Sequence, residues 1–510
     1  MAHFLPLLSG SLSLSGRWGR SWVSLALASA LLAPAVAGEK VLVVGDSLSK
    51  EHQSEFPVLY PEYPAAWAAR NWNELLNDRR NQQFDLGSWS FFLDFRLTGH
   101  EFNWSKPGGT ARELRNFLRQ TPDAEAEITA SSSGEAVWAL FPSWRTTFTN
   151  YTNQSSKVVI SFGGNDLALG NTDPAANPIV NGQVKQMDYE SVYVGTFGAA
   201  SNPDNLRASI RSNLKSVMEW FRNPRTSSQG QPLPPRFTGP MMLCAVPHVG
   251  CTPKLQARAG TDPVRTAVLT EMIELLNVEL KEFAASKDVG FADVYAVTKR
   301  ILDPAPFEIG GVRFYKEADN DCRPRYLFSG DGFHPNTPVH AKVAQVVVDA
   351  FLEKYPEMAA DLVRLSDREI LTGVLGLPGD LGYVEWMTEA GVPVNQRGPL
   401  SDPDKDGIPN AMEYALASRQ PHEADQLSPF TVAREPHPLG AGEVLTVSWQ
   451  LRFEENAYCD LIPQMASGLQ DWAPIPFEQV VQLPDGRRQV QLELLPGQAR
   501  YFRLAAVRDL

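Results

Sequence analysis

Cysteine is scarce in this sequence. Four residues among 510 exclude a small fold stapled by disulfides. Cys244, Cys251 and Cys322 lie in the middle third of the chain, and Cys459 near its end. One bridge such as Cys251–Cys322 and four free buried thiols stand as equal alternatives. No Cys/His cluster has the spacing of a zinc site. Basic charge is short as well: 46 Lys and Arg face 59 Asp and Glu, for a net charge of −13. That balance excludes nucleic-acid binding through a general basic field. Long apolar runs are also missing. Beyond residue 37 no segment is long and apolar enough to be a candidate membrane span. No internal repeat is visible.

What is present describes a folded globular protein. Hydrophobic residues make up 43% and charged residues 21%, unlike a disordered chain. The length suits two to four domains. Near the N-terminus, Arg17 and Arg20 precede an apolar run from Trp22 to Leu32, and Ala35-Val36-Ala37 follows as a small-x-small site. This pattern predicts a secretory signal peptide over 1–37 and an extracellular or periplasmic protein. The apolar run falls short of the ~20 residues that span a bilayer, so no transmembrane anchor is expected after cleavage.

Short apolar runs then alternate with helical patterns. Val41–Val44 ends in Gly45-Asp46-Ser47, and Lys157–Ser161 ends in Gly163-Gly164-Asn165-Asp166. Met241–Val246 ends at Pro247, and Phe291–Tyr295 follows a helix. Runs of this kind suit strands buried on both faces. A helix is predicted over 263–284, capped by Asp262, with Val268, Leu269, Met272, Leu275, Leu276, Leu280 and Phe283 as its apolar stripe. Another is predicted from Pro338 to Lys354. Strand–helix alternation predicts a layered α/β fold with a parallel sheet, whose ligands sit at the carboxyl ends of the strands. Segments 171–204 and 223–240 read as loop insertions. The stretch from Ser47 to Asn103 is rich in aromatics (Tyr60, Tyr63, Trp67, Trp72, Trp89, Phe91, Phe92 and Phe95) suited to walling a cleft or to packing under loops.

Composition changes near residue 400. Period-two alternation appears in Leu445, Val447, Trp449 and Leu451, and again in Val490, Leu492 and Leu494, with a hairpin signal at Asp485-Gly486 between two such segments. The expected organisation is a signal peptide (1–37), a layered α/β domain (39–365), a helical linker (366–424) and a small antiparallel β domain (425–510).

Four short motifs occur in order: Gly45-Asp46-Ser47-Leu48, Asn103-Trp104-Ser105-Lys106-Pro107-Gly108-Gly109-Thr110, Gly163-Gly164-Asn165-Asp166 and Asp331-Gly332-Phe333-His334-Pro335. Each alone is weak; the ordered set is not. A serine hydroxyl is a poor nucleophile unless a base takes its proton, and an imidazole titrates near neutrality. His334 is therefore the expected base. Asp331, three residues away in a tight loop, is expected to fix its tautomer. Attack on an ester creates an oxyanion that needs fixed donors. The N–H groups of Ser47 and Gly108 and the amide of Asn165 are the candidates. Asp46 and Asp166 are expected to organise their turns. His52, His100 and His248 lie near the motifs without matching a catalytic position, and His340 reads as a helix residue.

This set resembles the SGNH/GDSL hydrolase superfamily over roughly residues 40–355. Its signature residues match Ser47, Gly108, Asn165 and His334, with Asp331 three before the histidine. Ala245–Pro253 resembles a further family block more loosely. Gly108 is preferred over Gly109 because it keeps the family's spacing from Asn103. The resemblance implies a flavodoxin-like three-layer α/β/α domain, a triad of Ser47, Asp331 and His334, and chemistry that needs no metal. No Gly-x-Ser-x-Gly elbow surrounds Ser47. The implied activity is hydrolysis of carboxylic esters through an acyl-serine. The ester is a small molecule, a glycan or a lipid; O-acetyl groups on a polysaccharide are favoured. Lipase or phospholipase action, acyl transfer, and a catalytically silent surface- or glycan-binding protein are the alternatives.

A further motif lies outside that set. Asp402-x-Asp404-x-Asp406-Gly407-x-x-Asn410-x-x-Glu413 matches the ligand pattern of a calcium loop. Pro409 departs from an EF-hand, and no sister loop is visible. The expectation is one structural calcium ion at a domain junction, against the plain alternative of a solvated acidic turn. The β segment after it, with Leu469-Gln470-Asp471-Trp472 and Tyr501-Phe502-Arg503-Leu504, resembles accessory modules of secreted bacterial proteins, open to carbohydrate or surface contact. Three sequons occur, at Asn103, Asn150 and Asn153; the first overlaps the second motif, which argues against its modification.

Overall fold

The computed structural model describes residues 38–510, apart from 92–97, 120–141, 169–178, 181–182, 185–188, 195–202, 417–420, 422–429, 438–441, 454–457, 468–470, 495–500 and 508–510. The expected signal peptide, most of the 171–204 insertion, Phe92, Phe95 and Leu469-Gln470 lie outside the described residues.

A four-stranded parallel sheet forms the centre. Its strands run Val41–Gly45, Lys157–Ser161, Met241–Cys244 and Gly290–Ala292, adjacent in that order. The first strand is buried throughout, as expected of a strand covered on both faces. Its free edge carries parallel bridges from Lys40 to Asp85 and from Val43 to Asn103. The chain thus steps outward to the 85–103 segment before crossing back to Lys157–Ser161, the doubly wound pattern in which the second strand position lies outside the first. Ligands bind where such an order reverses, and here the reversal lies beside Ser47.

Helices pack in two groups. Trp72–Arg79 lies against Thr337–Lys354; Pro203–Arg222 lies against both Ala111–Arg119 and Pro263–Ser286. The Gly290–Ala292 strand touches a helix from each group. The caps follow the sequence: Asp262 accepts from Val264 N and Arg265 N, and Asn336 accepts from Thr337 N. The long helix buries Leu269, Met272, Ile273, Leu276 and Leu280, but Val268 and Leu275 are exposed. They lie seven residues apart, on the outer flank of a stripe read too broadly. The fourth run is also shorter than expected. Asp293 accepts from Ala296 N and so ends the strand by capping the Val294–Leu302 helix.

A second, mixed sheet, not expected from the sequence, joins Phe307–Ile309, Val312–Asp319 and Tyr326–Ser329. Its last strand delivers the chain into the Asp331–His334 loop.

Beyond residue 430, antiparallel strands form two sheets. Thr431–Pro436, Glu443–Gln450 and Arg487–Leu494 belong to one, and Asp460–Ala466 and Tyr501–Val507 to the other. Val447, Trp449, Val490, Leu492, Leu461 and Leu504 share one core. The Asp485-Gly486 turn is present and joins the short strand Val481–Gln482 to Arg487–Leu494, which pairs along its other edge with the whole of Glu443–Gln450. The connecting segment changes allegiance within a few residues. Leu375 and Leu381 pack on the large core, whereas Tyr383 and Met387 belong to the second core with Ala411 and Tyr414. All four cysteines are free and buried, so the Cys251–Cys322 bridge is not formed.

Candidate active site

The Ser47 turn is built by its neighbour. Asp46 Oδ1 accepts from Leu48 N at 2.9 Å, and Asp46 O accepts from Ser49 N and Lys50 N. These bonds involve the residues on either side and do not use the Ser47 N–H. Burial pushes the Asp46 carboxyl up to about 7, with the nearby Asp166 charge adding to the rise.

The second motif runs alongside the first strand. Trp104 N donates to Val43 O and Lys106 N to Gly45 O, which brings the Gly108 turn to the sheet edge. Gly108 has a φ of 72°, in the region that glycine tolerates best. The Gly109 N–H donates to Lys106 O at 3.0 Å, so the adjacent Gly108 is the better donor candidate. Asn103 is buried and donates to Ser49 O at 2.8 Å, which leaves its sequon inaccessible.

Gly163 has a φ of 115°, and a Cβ there would lie 2.7 Å from Val246 Cγ2. The tight turn starts the short helix that holds Asn165. Asn165 is buried, and its Nδ2 donates to Gly109 O at 3.1 Å. A primary amide carries two hydrogens, so one stays available. Asp166 Oδ2 accepts from Ala111 N at 2.8 Å and so ties the third motif to the helix that follows the second.

The Asp331–His334 pair is the most tightly specified part of the site. His334 Nδ1 and Asp331 Oδ2 are 2.5 Å apart. Asp331 Oδ1 accepts from Ser329 Oγ at 3.0 Å, Phe333 N at 2.8 Å and His334 N at 3.0 Å. Tyr60 Oη donates to Ser329 Oγ at 3.0 Å. Burial works against the Asp331 charge, but these donors and His334 hold its carboxyl well below the usual range. Burial likewise disfavours the His334 imidazolium. The Asp331 hydrogen bond and charge, with Glu55 and Asp46, outweigh it and raise the imidazole above its ordinary value. Glu55 is itself pushed up to about 7 by burial.

Ser47 and Asn165 line one cavity of ≈ 30 Å³ together with Phe333 and Pro335, the residues flanking His334. Pro247, His248, Val249, Cys251 and Thr252 supply the opposite wall. That loop is tied to the catalytic loop by Lys254 N donating to Gly332 O at 2.9 Å. Gly108 lies beside this cavity, not in its lining. His248 lines it with a ring that burial pushes down to about 4, its Nε2 2.9 Å from Thr270 Oγ1. His100 contacts Glu51, and His52 is buried edge-to-face against His340. Sequence reading missed Ser329 and Glu55, and gave Tyr60 only as one of the cleft or packing aromatics. Only Ser329, two residues before Asp331, carried a local signal.

A doubly wound parallel sheet gathering a serine, an Asp–His pair and a buried amide at its carboxyl edge defines a hydrolase-type α/β domain. The chain belongs to the GDSL-like lipase/acylhydrolase family, whose model matches residues 41–347, more than half of its length, and it is a carboxylic ester hydrolase. No curated protein matches the chain. Among solved structures it is similar to the acetylxylan esterase Axe2 of Geobacillus stearothermophilus, at 15% identity over 62% of this chain and 95% of that one, with a TM-score of 0.27. It is also similar to phospholipase A1 of Streptomyces albidoflavus NA297, at 12% identity over 62% of this chain and 100% of that one, with a TM-score of 0.29. Among the described residues, no helix is long and apolar enough to cross a membrane.

Proposed function

We propose that the protein is an exported esterase that removes short acyl groups, acetyl above all, from a hydroxylated polymer such as a polysaccharide. Ser47 Oγ attacks the acyl carbonyl while its proton passes to His334 Nε2. The tetrahedral oxyanion is held by the N–H groups of Ser47 and Gly108 and the second amide hydrogen of Asn165. The C–O bond to the alcohol then breaks as His334 returns the proton to the leaving oxygen. Water, activated by the same imidazole, releases the acid and restores Ser47. Asp331 keeps the imidazole's Nδ1 protonated and its Nε2 facing the serine.

The observation that carries the acyl preference is the cavity beside Ser47. Its ≈ 30 Å³ suits a methyl-sized tail and favours a short acyl group over a long one. Tyr60 leads outward from Asp331 to Trp67, whose ring nitrogen donates to Tyr60 O and whose side chain is exposed. An aromatic face at that rim suits stacking on a sugar ring. The C-terminal β domain is read as an accessory contact to the same polymer or to a surface.

The test is an acyl-length series of aryl esters run beside acetylated glycans. Acetate is expected to be cleaved fastest, with acetate released from at least one glycan. A maximum at eight or more carbons with no glycan deacetylation would refute the acyl reading. Ser47→Ala should abolish turnover of every ester while leaving the circular dichroism spectrum unchanged; retained turnover would refute the nucleophile.

A further inference from the structure

We propose that residues 402–413 bind one calcium ion, and that this ion locks the helix joining the two cores of the molecule. Asp402, Asp404 and Asp406 each offer a carboxylate oxygen, all within 4.8 Å of one another. Carboxylates brought this close repel one another unless a cation lies between them.

A second observation is independent of the acidic cluster. Asn410 is 0% exposed. Its Nδ2 donates to Gln396 O at 2.8 Å and Gly398 O at 2.9 Å. This turns Oδ1 to the other side of the amide, where it is buried with no hydrogen-bond partner among the described residues. Asn410 also closes the loop, through its N–H to Ser401 O at 2.9 Å. A buried amide oxygen without a donor is costly, and a hard cation in the loop would use it. Glu413, one helical turn further on, is equally buried. Oxygen donors at positions one, three, five, nine and twelve, with glycine at six, favour calcium over smaller magnesium.

The ion's effect follows from what the helix carries. Asn410–Ala415 holds Tyr414 in the second core, with its hydroxyl close against Gly382 and Gly311. Gly311 lies in the turn between the first two strands of the sheet that leads into the Asp331 loop. Fixing the loop fixes that contact.

Full-length protein stripped with a chelator should bind calcium at one site by titration calorimetry. Its Tm should rise by about 3 °C at a calcium concentration 100-fold above Kd, with a smaller rise in equal magnesium. The Asp404→Asn/Glu413→Gln double variant should lose the heat and the rise. Turnover of an aryl acetate well below Tm should be the same with and without calcium, so failure here is separable from failure of the esterase reading. Absence of binding heat in the wild type, or a Tm rise equal in the double variant, would overturn the site. Loss of turnover on chelation would overturn the assignment of the ion to the junction.

Discussion

Asp331 shows how much one side chain is made to do. Its two oxygens accept four hydrogen bonds, three of them on Oδ1. Asp331→Asn keeps the shape but puts a donor where the ring needs an acceptor, and turnover should fall on the order of 10⁴-fold. The pH profile gives a finer test. The carboxylates of Asp331, Glu55 and Asp46 favour the imidazolium, and His334 must be neutral to take the serine proton. The acid limb of kcat/KM, which reports the free enzyme, should therefore lie above the ordinary histidine range. Glu55→Gln removes one of these carboxylates, so its acid limb should move to lower pH, with the alkaline plateau held within a few-fold. An unmoved limb would show that Glu55 does not sense the ring. The Asp331–His334 pair was legible because three-residue spacing and motif order mark it. Glu55 was not, because its place near His334 arises from folding across 278 intervening positions and leaves no local pattern.

At the scale of elements, the strands of the parallel sheet were readable because they are covered on both faces and so appear as unbroken apolar runs. The mixed sheet over 307–329 was not. Val312–Asp319 alternates buried and exposed residues at its start, but exposed Tyr315 and the charged pair Lys316-Glu317 break the apolar pattern in the sequence. The two alternating segments around Asp485-Gly486 do pair with each other, but the strand directly across that turn is Val481–Gln482, too short to leave an alternation in the sequence. The Gly163 turn makes a prediction at this scale. Gly163→Ala adds a Cβ against Val246 and strains a φ of 115°. It should displace the Asn165 helix and reduce kcat by about 10²–10³, the typical loss of one oxyanion donor. An unchanged kcat would remove Asn165 from the oxyanion site.

For the whole molecule, the sequence marks a change near residue 400, where composition shifts to turn-rich acidic residues. The change of core comes earlier, between Leu381 and Tyr383, because apolar helices on both sides of it look alike in sequence. Residues 38–510 form one unit of contacts. Gly382→Ala would bring a Cβ to within 2.5 Å of Tyr414 Oη and should lower Tm in scanning calorimetry. The four thiols, none of them in a disulfide, bear on the same question. Burial pushes Cys244, Cys251 and Cys322 up to about 12, so none reacts readily while folded. Cys244 lies in the central sheet, Cys251 in the cavity wall, Cys322 beneath Tyr60, and Cys459 in the second core against Ala411 O. Together they make a set of built-in clocks. Alkylated in rising denaturant, they record when each neighbourhood opens, without a single added label. Because no bridge has to form, the protein can also be produced in a reducing host.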